Sequence, residues 1–483
     1  MNGSWSAMKP RTALVLGGSA AGLCAAGALA PHFDQVLVLE RDELPTNPVH
    51  RRGVPQSKHP HFLLNSGRRA INALFPGFED DLITAGGLLL MPSMDAAYLD
   101  GEGWSARKRS AMTMLYASRV LIERVLRDKA RELNNVTIRD QVTVQGLTTH
   151  NGTVTGVDTT DEHLDADLVV DAMGRGSSVG GWLAAAGWPD LEIQTLDAKV
   201  TYTSRWYELP DERPPSWWWQ HIVVMPTRDK GEHPAEHEYL VNFFPVEGNR
   251  VIACMGSWGH DMPRTDDTFV ESARRVRTPL FAAAMDRCTP TSEVHLTRST
   301  GNTWRRYDRW ASPPKGLVFV GDSICAFNPF YAQGISSASA SALLLRDHLG
   351  GTFDTTRFLT AQRKLLAVPW RLAMARDQGY ACAVGTEKPP EWRRRLLAAV
   401  SDPAFSFIVC AAREDAVIDE HFAKVFNLDE SLGDMLGNPG VLARLVRHGV
   451  RAALGKRRVP FGFDPHAEPP ATDYTAATTA AAP

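Results

Sequence analysis

The chain is poor in cysteine, and its cysteines form no pattern. The six (Cys24, Cys254, Cys288, Cys325, Cys382, Cys410) are scattered through 483 residues and none makes a C-x-x-C pair. That spacing disfavours a zinc knuckle or a disulfide framework and leaves reduced thiols in a cytoplasm as the expectation. Charge of one sign is missing too. With 52 Lys+Arg against 55 Asp+Glu the net charge is −3, whereas a protein held to nucleic acid by phosphate contacts carries a basic surplus. Nucleic-acid partners are therefore not expected. No apolar run reaches the roughly 18 residues that a spanning helix needs. Residues 1–11 lack the charged start, apolar run and cleavage site of a secretory signal. There is no internal repeat, no Ser/His/Asp triad signal and no metal-ligand cluster, so no metal is expected.

What is present is an ordinary globular composition, 44% hydrophobic and 22% charged. At roughly 150 residues per unit the length allows two or three subdomains. Thr12–Leu16 reads as a buried strand and runs directly into Gly17-Gly-Ser-Ala-Ala-Gly22. An Ala-rich helix to about Ala30 and a second apolar strand, Gln35–Glu40, complete a β-α-β unit. Ser118 caps a helix running to about Leu133. Asn151-Gly152 calls for a tight hairpin turn. Lys199–Tyr207, Trp217–Met225, Glu238–Val246 and Arg250–Trp258 are β-rich and aromatic, which predicts an inserted antiparallel sheet. Leu317–Val320 returns to buried-strand character, and a small-residue helix follows from about Ala332.

The expected fold class is α/β: a Rossmann-like nucleotide-binding domain, an inserted antiparallel β-sheet substrate domain and a helical C-terminal region. The expected boundaries are 10–190 for the first part of the nucleotide domain and 191–295 for the β-rich insert. The nucleotide domain returns over 296–355, helices fill 356–466, and 467–483 form a disordered tail.

The glycine turn carries a physical argument. Gly17 permits the tight turn and Gly22 lets the helix approach the strand. Ser19 stands at the middle position, where the usual fingerprint has glycine, and Gly18, Ala20 and Ala21 keep the turn small. The new helix aims its free N–H groups at a pyrophosphate. Glu40, 18 residues beyond Gly22 at the second strand's end, can accept from both ribose hydroxyls and would repel a 2′-phosphate; Arg41 adjoins it. The bland alternative is a glycine-rich turn in some other α/β fold.

Two further motifs follow in order: Asp167-Leu-Val-Val-Asp171-Ala-Met-Gly174-Arg-Gly-Ser177, then Gly316-Leu-Val-Phe-Val-Gly321-Asp322-Ser-Ile-Cys-Ala-Phe-Asn-Pro-Phe-Tyr331. With the glycine turn they make the chain resemble the single-component (group A) FAD-dependent aromatic-hydroxylase superfamily over nearly all of residues 10–350. Arg51-Arg-Gly-Val-Pro-Gln-Ser-Lys-His-Pro-His61, Ser118-Arg119 with Glu123 and Arg127, and Phe327-Asn-Pro-Phe-Tyr-Ala-Gln-Gly334 narrow the likeness. They are similar to the bacterial branch containing polyketide (polyether-type) epoxidases and natural-product hydroxylases. That branch usually has Gly where this chain has Ala332.

The resemblance implies FAD as cofactor, NAD(P)H or a partner flavin reductase as electron source, and O₂ as co-substrate. It implies oxygen insertion through a flavin C4a-hydroperoxide, by epoxidation or hydroxylation of a large apolar polyketide- or terpenoid-like molecule. By the same resemblance Arg119 sits near the pyrophosphate and Val144 near adenine. Asp171 orders a loop, Asp322 holds the ribityl hydroxyls, and Gln333-Gly334-Ile335 face the flavin's pyrimidine edge. His61 is expected as loop packing beside the flavin, with proton transfer as the weaker alternative. Tyr202, Trp217, Trp219, Phe243 and Met255 are nominated as one face of a substrate pocket, with sheet packing as the alternative. Flavin halogenases carry Trp-x-Trp-x-Ile-Pro; here the Ile comes one place late and the Pro is absent, so that activity is demoted. A reductase acting on a prenyl-like substrate without oxygen transfer is the main rival. The basic helix at 440–458 is expected to pack on its own domain, with peripheral membrane contact as the alternative.

Overall fold

The structure is a computed structural model, and it describes residues 11–227, 234–298, 300–456, 459 and 462–476. The first sheet consists of β1 (Thr12–Leu16), β2 (Gln35–Leu39), β3 (Val136–Arg139), β4 (Leu168–Asp171) and β5 (Leu317–Phe319). Their spatial order is β5-β4-β1-β2-β3 and every neighbouring pair is parallel. Parallel strands need both faces covered, which is why β1, β4 and β5 are apolar apart from Thr12 and Asp171 at strand ends. Against them pack α1 (Ala20–Leu29) and α3 (Arg119–Arg131); α2 (Asn65–Leu74) and α4 (Gly334–Leu349) lie one layer out, α4 on α1 and α2 on α4. Helix α1 is almost wholly buried, so its Ala/Gly/Leu composition makes it slim enough to lie against α4 and α3. Ser118 caps α3 as expected, its Oγ accepting from the Leu121 N–H at 3.2 Å. The same hydroxyl donates to Glu247 at 2.6 Å, which ties the nucleotide domain to the inserted sheet.

Among the described residues the inserted sheet has eight strands. Its centre is Val200–Glu208, Arg250–Trp258, Leu240–Val246 and His221–Val224, joined antiparallel in that order. Ala96–Asp100 and Gly103–Trp104 extend it from a segment well before the insert. One face carries a dry core closed by the helices Asp266–Arg274 and Leu280–Met285. The Asn151-Gly152 turn has positive φ at both residues, 46° and 75°, as a two-residue hairpin of primed type requires.

The helical region comprises α5 (Thr355–Asp377), α6 (Glu391–Glu414), α7 (Ala416–Phe426), α8 (Leu432–Gly437) and α9 (Pro439–Ala453). Helices α6, α7, α8 and α9 share a small core of their own around Ile408, Ile418, Met435 and Leu445. Among the described residues no helix is long and apolar enough to cross a membrane. The expected disordered tail differs in its first part. Residues 467–476 are laid on the inserted sheet: Trp104 donates to Ala467 O, Arg107 to Ala471 O and the Tyr474 N–H to Arg107 O. Residues 477–483 lie outside the described residues.

Candidate functional site

Strand β1 enters Gly17 at φ +105°, where a side chain would place its Cβ 2.7 Å from the Ala172 carbonyl. At Gly22 an added Cβ would stand 1.8 Å from the Gly17 carbonyl, so the helix packs onto its own turn. Ser19 occupies the N-cap of α1 but makes no capping bond through its side chain. The first N–H groups of α1 therefore remain available to an anion. Arg119, only 4% exposed, donates to Ser19 Oγ at 3.0 Å and lies 3.3 Å from Glu123. Its Nη1 is buried with no hydrogen-bond partner. An unpaired guanidinium N–H beside an uncapped helix start is the donor set that a diphosphate satisfies.

Glu40 is buried at the end of β2. Its carboxylate accepts from the Gly18 N–H at 2.8 Å and the Asp42 N–H at 3.0 Å, and lies 3.3 Å from Arg51. Arg51 also reaches Asp42 and Glu123, each at 2.8 Å. A carboxylate has about four acceptor sites, so capacity remains for a ribose. Arg41 points into solvent. The Val142 N–H donates to the Glu40 carbonyl at 2.8 Å, while Val144 starts the next strand half-buried against the core.

Asp171 is fully buried and faces its own loop, accepting from the Met173 N–H (3.0 Å) and the Ser177 hydroxyl (2.5 Å). Burial pushes its carboxyl up to about 6, against those two donors. Asp322 instead opens partly to the cleft, 3.3 Å from Arg175. Burial raises its pKa, and Arg175 and Arg119 oppose the rise. Gly321 lies against α1, since a Cβ there would be 2.8 Å from that of Ala21. A Cβ on Gly334, at the start of α4, would be 3.8 Å from Asp322 Oδ1. Helix α4 is also uncapped by any side chain, and the buried Gln333 Oε1 has no partner. Glu40, the Gly17–Gly22 turn, Asp322 and the Gln333–Ile335 helix start thus follow one another through direct contacts. The chain order of three distant motifs becomes one elongated site, as a dinucleotide requires.

One residue that sequence reasoning missed supports the far end. Asp377, the last residue of α5, is completely buried. It accepts from Asn302 Nδ2 (2.6 Å), Asn328 Nδ2 (3.2 Å) and the Tyr331 hydroxyl. Asn328 in turn caps the short turn that follows it, through the Phe330 N–H. The loop ends at Ala332 in the left-handed region, φ 55°, where glycine would be unstrained. Asp377 therefore fixes a loop whose own sequence does not favour its shape. An acid at a helix C-terminus offers no signal of this from sequence.

The nominated substrate face divides in two. Tyr202 pairs with Gly256, whereas Met255 pairs with Thr203 and Phe243 with Ala253. Alternation then puts Tyr202 on the face toward the nucleotide domain, and Phe243 and Met255 on the opposite face. Trp219 joins the dry core there with Phe243, ring centroids 6.1 Å apart, and Trp217 packs against Trp219 at 4.7 Å. These four residues are sheet packing. Trp217–Trp219 also precede the strand rather than belonging to it. The Trp217 N–H donates to Pro214 O and the Gln220 N–H to Asp95 O, so the ladder opens only at His221.

The face toward the nucleotide domain holds His59, edge-on to Tyr202 at 4.6 Å, and Phe330 at 5.3 Å from Tyr202. Phe62, Tyr116, His221 and Phe244 form an aromatic cluster on the same side. His221 sits 3.1 Å from both the Tyr116 hydroxyl and Asn242 Oδ1. Burial pushes His221 down to about 4 and His59 down to about 3. His61 is held through Nδ1 to the His59 carbonyl at 2.9 Å. Burial and the neighbouring Arg119 push it down to about 4, so at neutral pH its ring is uncharged and donates.

A glycine turn on a parallel sheet, with a second uncapped helix behind Asp322, is the frame of a dinucleotide-binding protein. The FAD binding domain family matches residues 11–376, and the chain belongs to it. Protein Rv3254 of Mycobacterium tuberculosis (strain ATCC 25618 / H37Rv) is 29% identical over 472 residues, 92% of this chain and 95% of that protein. Among solved structures, PqsL of Pseudomonas aeruginosa, described as a probable FAD-dependent monooxygenase, superposes with a TM-score of 0.57. It is 17% identical and covers 76% of this chain and 94% of its own. The myxobacterial chondrochloren halogenase CndH gives 0.58 at 17% identity, over 94% and 99% of the two chains. At these identities the structures share the fold.

Proposed function

We propose that this protein is an FAD-dependent monooxygenase that takes electrons from NAD(P)H and inserts one atom of O₂ into a large apolar substrate. Bound FAD supplies the oxygen-activating chemistry, and the protein supplies binding, orientation and exclusion of water. In this reading the free N–H groups of α1 and the unpaired Nη1 of Arg119 hold the diphosphate. Glu40 takes the ribose, Asp322 the ribityl chain, and the start of α4 the pyrimidine edge. A helix N-terminus there stabilises negative charge on the reduced ring. The substrate then meets the half-buried Phe330 and Phe62, which front the buried Tyr202 and Tyr116–Phe244 packing. That aromatic wall beside the flavin end is the observation that carries the proposal, because it suits an apolar carbon skeleton better than a charged one.

The favoured reaction is epoxidation of an alkene in a polyketide- or terpenoid-like molecule, with hydroxylation as its close variant. Substrate, O₂, NAD(P)H and a proton give oxygenated product, NAD(P)⁺ and water, so the balance needs no further reagent. The test is turnover of an apolar alkene panel under isotopically labelled O₂. One labelled oxygen atom in the product is expected. A product that gains hydrogen without label establishes the reductase reading, and a product that forms only with added halide establishes halogenation; either overturns the proposal.

A further inference from the structure

Large apolar side chains are exposed very unevenly over the molecule. Twelve of the seventeen exposed large hydrophobics among the described residues fall between Trp392 and Leu454. Helix α9 shows how they are arranged. Val441, Leu445 and His448 turn inward against α6 and α7. Leu442, Val446, Val450 and Leu454, spaced by four, form a second stripe that is more than half exposed at every position. With 3.6 residues per turn this stripe points away from the inward one. Helix α6 adds Trp392, Leu396 and Val400 at the same spacing, all exposed. Phe407 links the two helices, 3.5 Å from where a Cβ on Gly449 would stand.

The sequence expectation that this helix packs its apolar face on its own domain accounts for the inward stripe alone. The outward one has a distinct charge setting. Residues 439–458 contain six Lys/Arg and no Asp or Glu. Arg444, Arg447 and Arg451 flank the stripe, and Arg444 and Arg447 are fixed to Asp415 at 3.0 and 3.3 Å. Two copies joined symmetrically through α9 would set these cations against their own images, which opposes a dimer.

We propose that the outward face of α9, with the neighbouring stripe of α6, docks on the surface of an anionic phospholipid bilayer. The Leu/Val stripe enters the boundary between headgroups and acyl chains, and the flanking arginines meet lipid phosphates. Trp392, 69% exposed, adds an aromatic ring of the kind enriched at membrane interfaces. The module stays monotopic, since no described helix is long and apolar enough to span.

The experiment is co-sedimentation of the full-length, flavin-loaded chain with vesicles of phosphatidylcholine alone and of phosphatidylcholine with phosphatidylglycerol. Binding to the anionic vesicles is expected, about tenfold weaker on phosphatidylcholine alone or in high salt. The double variant Val446→Asp/Val450→Asp should bind at least about tenfold less while keeping its flavin. Arg451→Glu/Lys456→Glu should lose the preference for anionic lipid and also keep its flavin. No vesicle binding by the parent chain overturns the proposal, as does binding that the aspartates leave unchanged. A lipid-free parent that is dimeric, with a monomeric aspartate variant, assigns the face to a second copy and equally overturns it.

Discussion

At the nucleotide turn the important positions are small, and an added methyl at Gly22 would strike the backbone of the same turn. On the inserted sheet the important positions are large, and the facing of each side chain decides what it does. Phe243 and Phe244 are adjacent in sequence, yet one joins a dry core with Trp219 and Phe281 and the other an aromatic cluster with Tyr116 and His221. The turn is specified by local sterics, which survive any error of register. The sheet is specified by pairing, where a shift of one residue exchanges the two faces.

Substitutions can break this contrast. The largest effect belongs to Gly22→Ala. The turn must move to admit the methyl, so purified protein should carry almost no flavin by its visible absorbance. Stoichiometric flavin would dissociate the turn from the cofactor. Next is Phe243→Ala, which opens a cavity in the closed face and should cost about 3–5 kcal/mol in denaturant unfolding. Flavin content should hold under native conditions, because that face does not meet the nucleotide domain. Asp377→Asn should cost less, about 1–3 kcal/mol, by leaving amide donors opposed in a buried network. Its diagnostic readout is a weaker flavin Kd with a shifted flavin spectrum. A stability loss with the spectrum and Kd unchanged would reduce Asp377 to packing.

The last effect is confined to acid and reads as a pH slope, absent at neutral pH. His221 in the folded protein is pushed down to about 4, below its ordinary 6.5, so it stays neutral while the unfolded chain takes up a proton. Its stabilisation is complete above pH 6.5 and is lost as pH falls toward 4, by roughly 3 kcal/mol at pH 4. His221→Gln should flatten the stability–pH curve by about one proton over that range. An unchanged slope would assign the acid sensitivity to other groups.

The sequence made the parallel sheet, the glycine turn and the Asp-Gly and Gly-Asp motifs legible because each is a contiguous run whose chemistry is local. Glu40 and Asp322 fall at strand ends and could be placed by counting. Tyr202 with Phe243 and Met255 could not be sorted, since their facing depends on the pairings of Tyr202 with Gly256 and of Phe243 with Ala253. The Trp217–Trp219 run looked like strand from its β-propensity, but the Trp217 N–H turns back to Pro214 and the ladder opens only at His221. Asp377 and the His221–Tyr116–Asn242 group stayed hidden because their partners lie 21 to 105 residues away in sequence and nothing marks them in advance.

The most direct test of the central claim is anaerobic mixing of the FAD-reconstituted protein with NADH or NADPH, followed by oxygenated buffer, with the flavin absorbance recorded throughout. The account predicts stoichiometric flavin uptake, bleaching by the reduced nucleotide and recovery on contact with oxygen. A folded chain that takes up no FAD would contradict it.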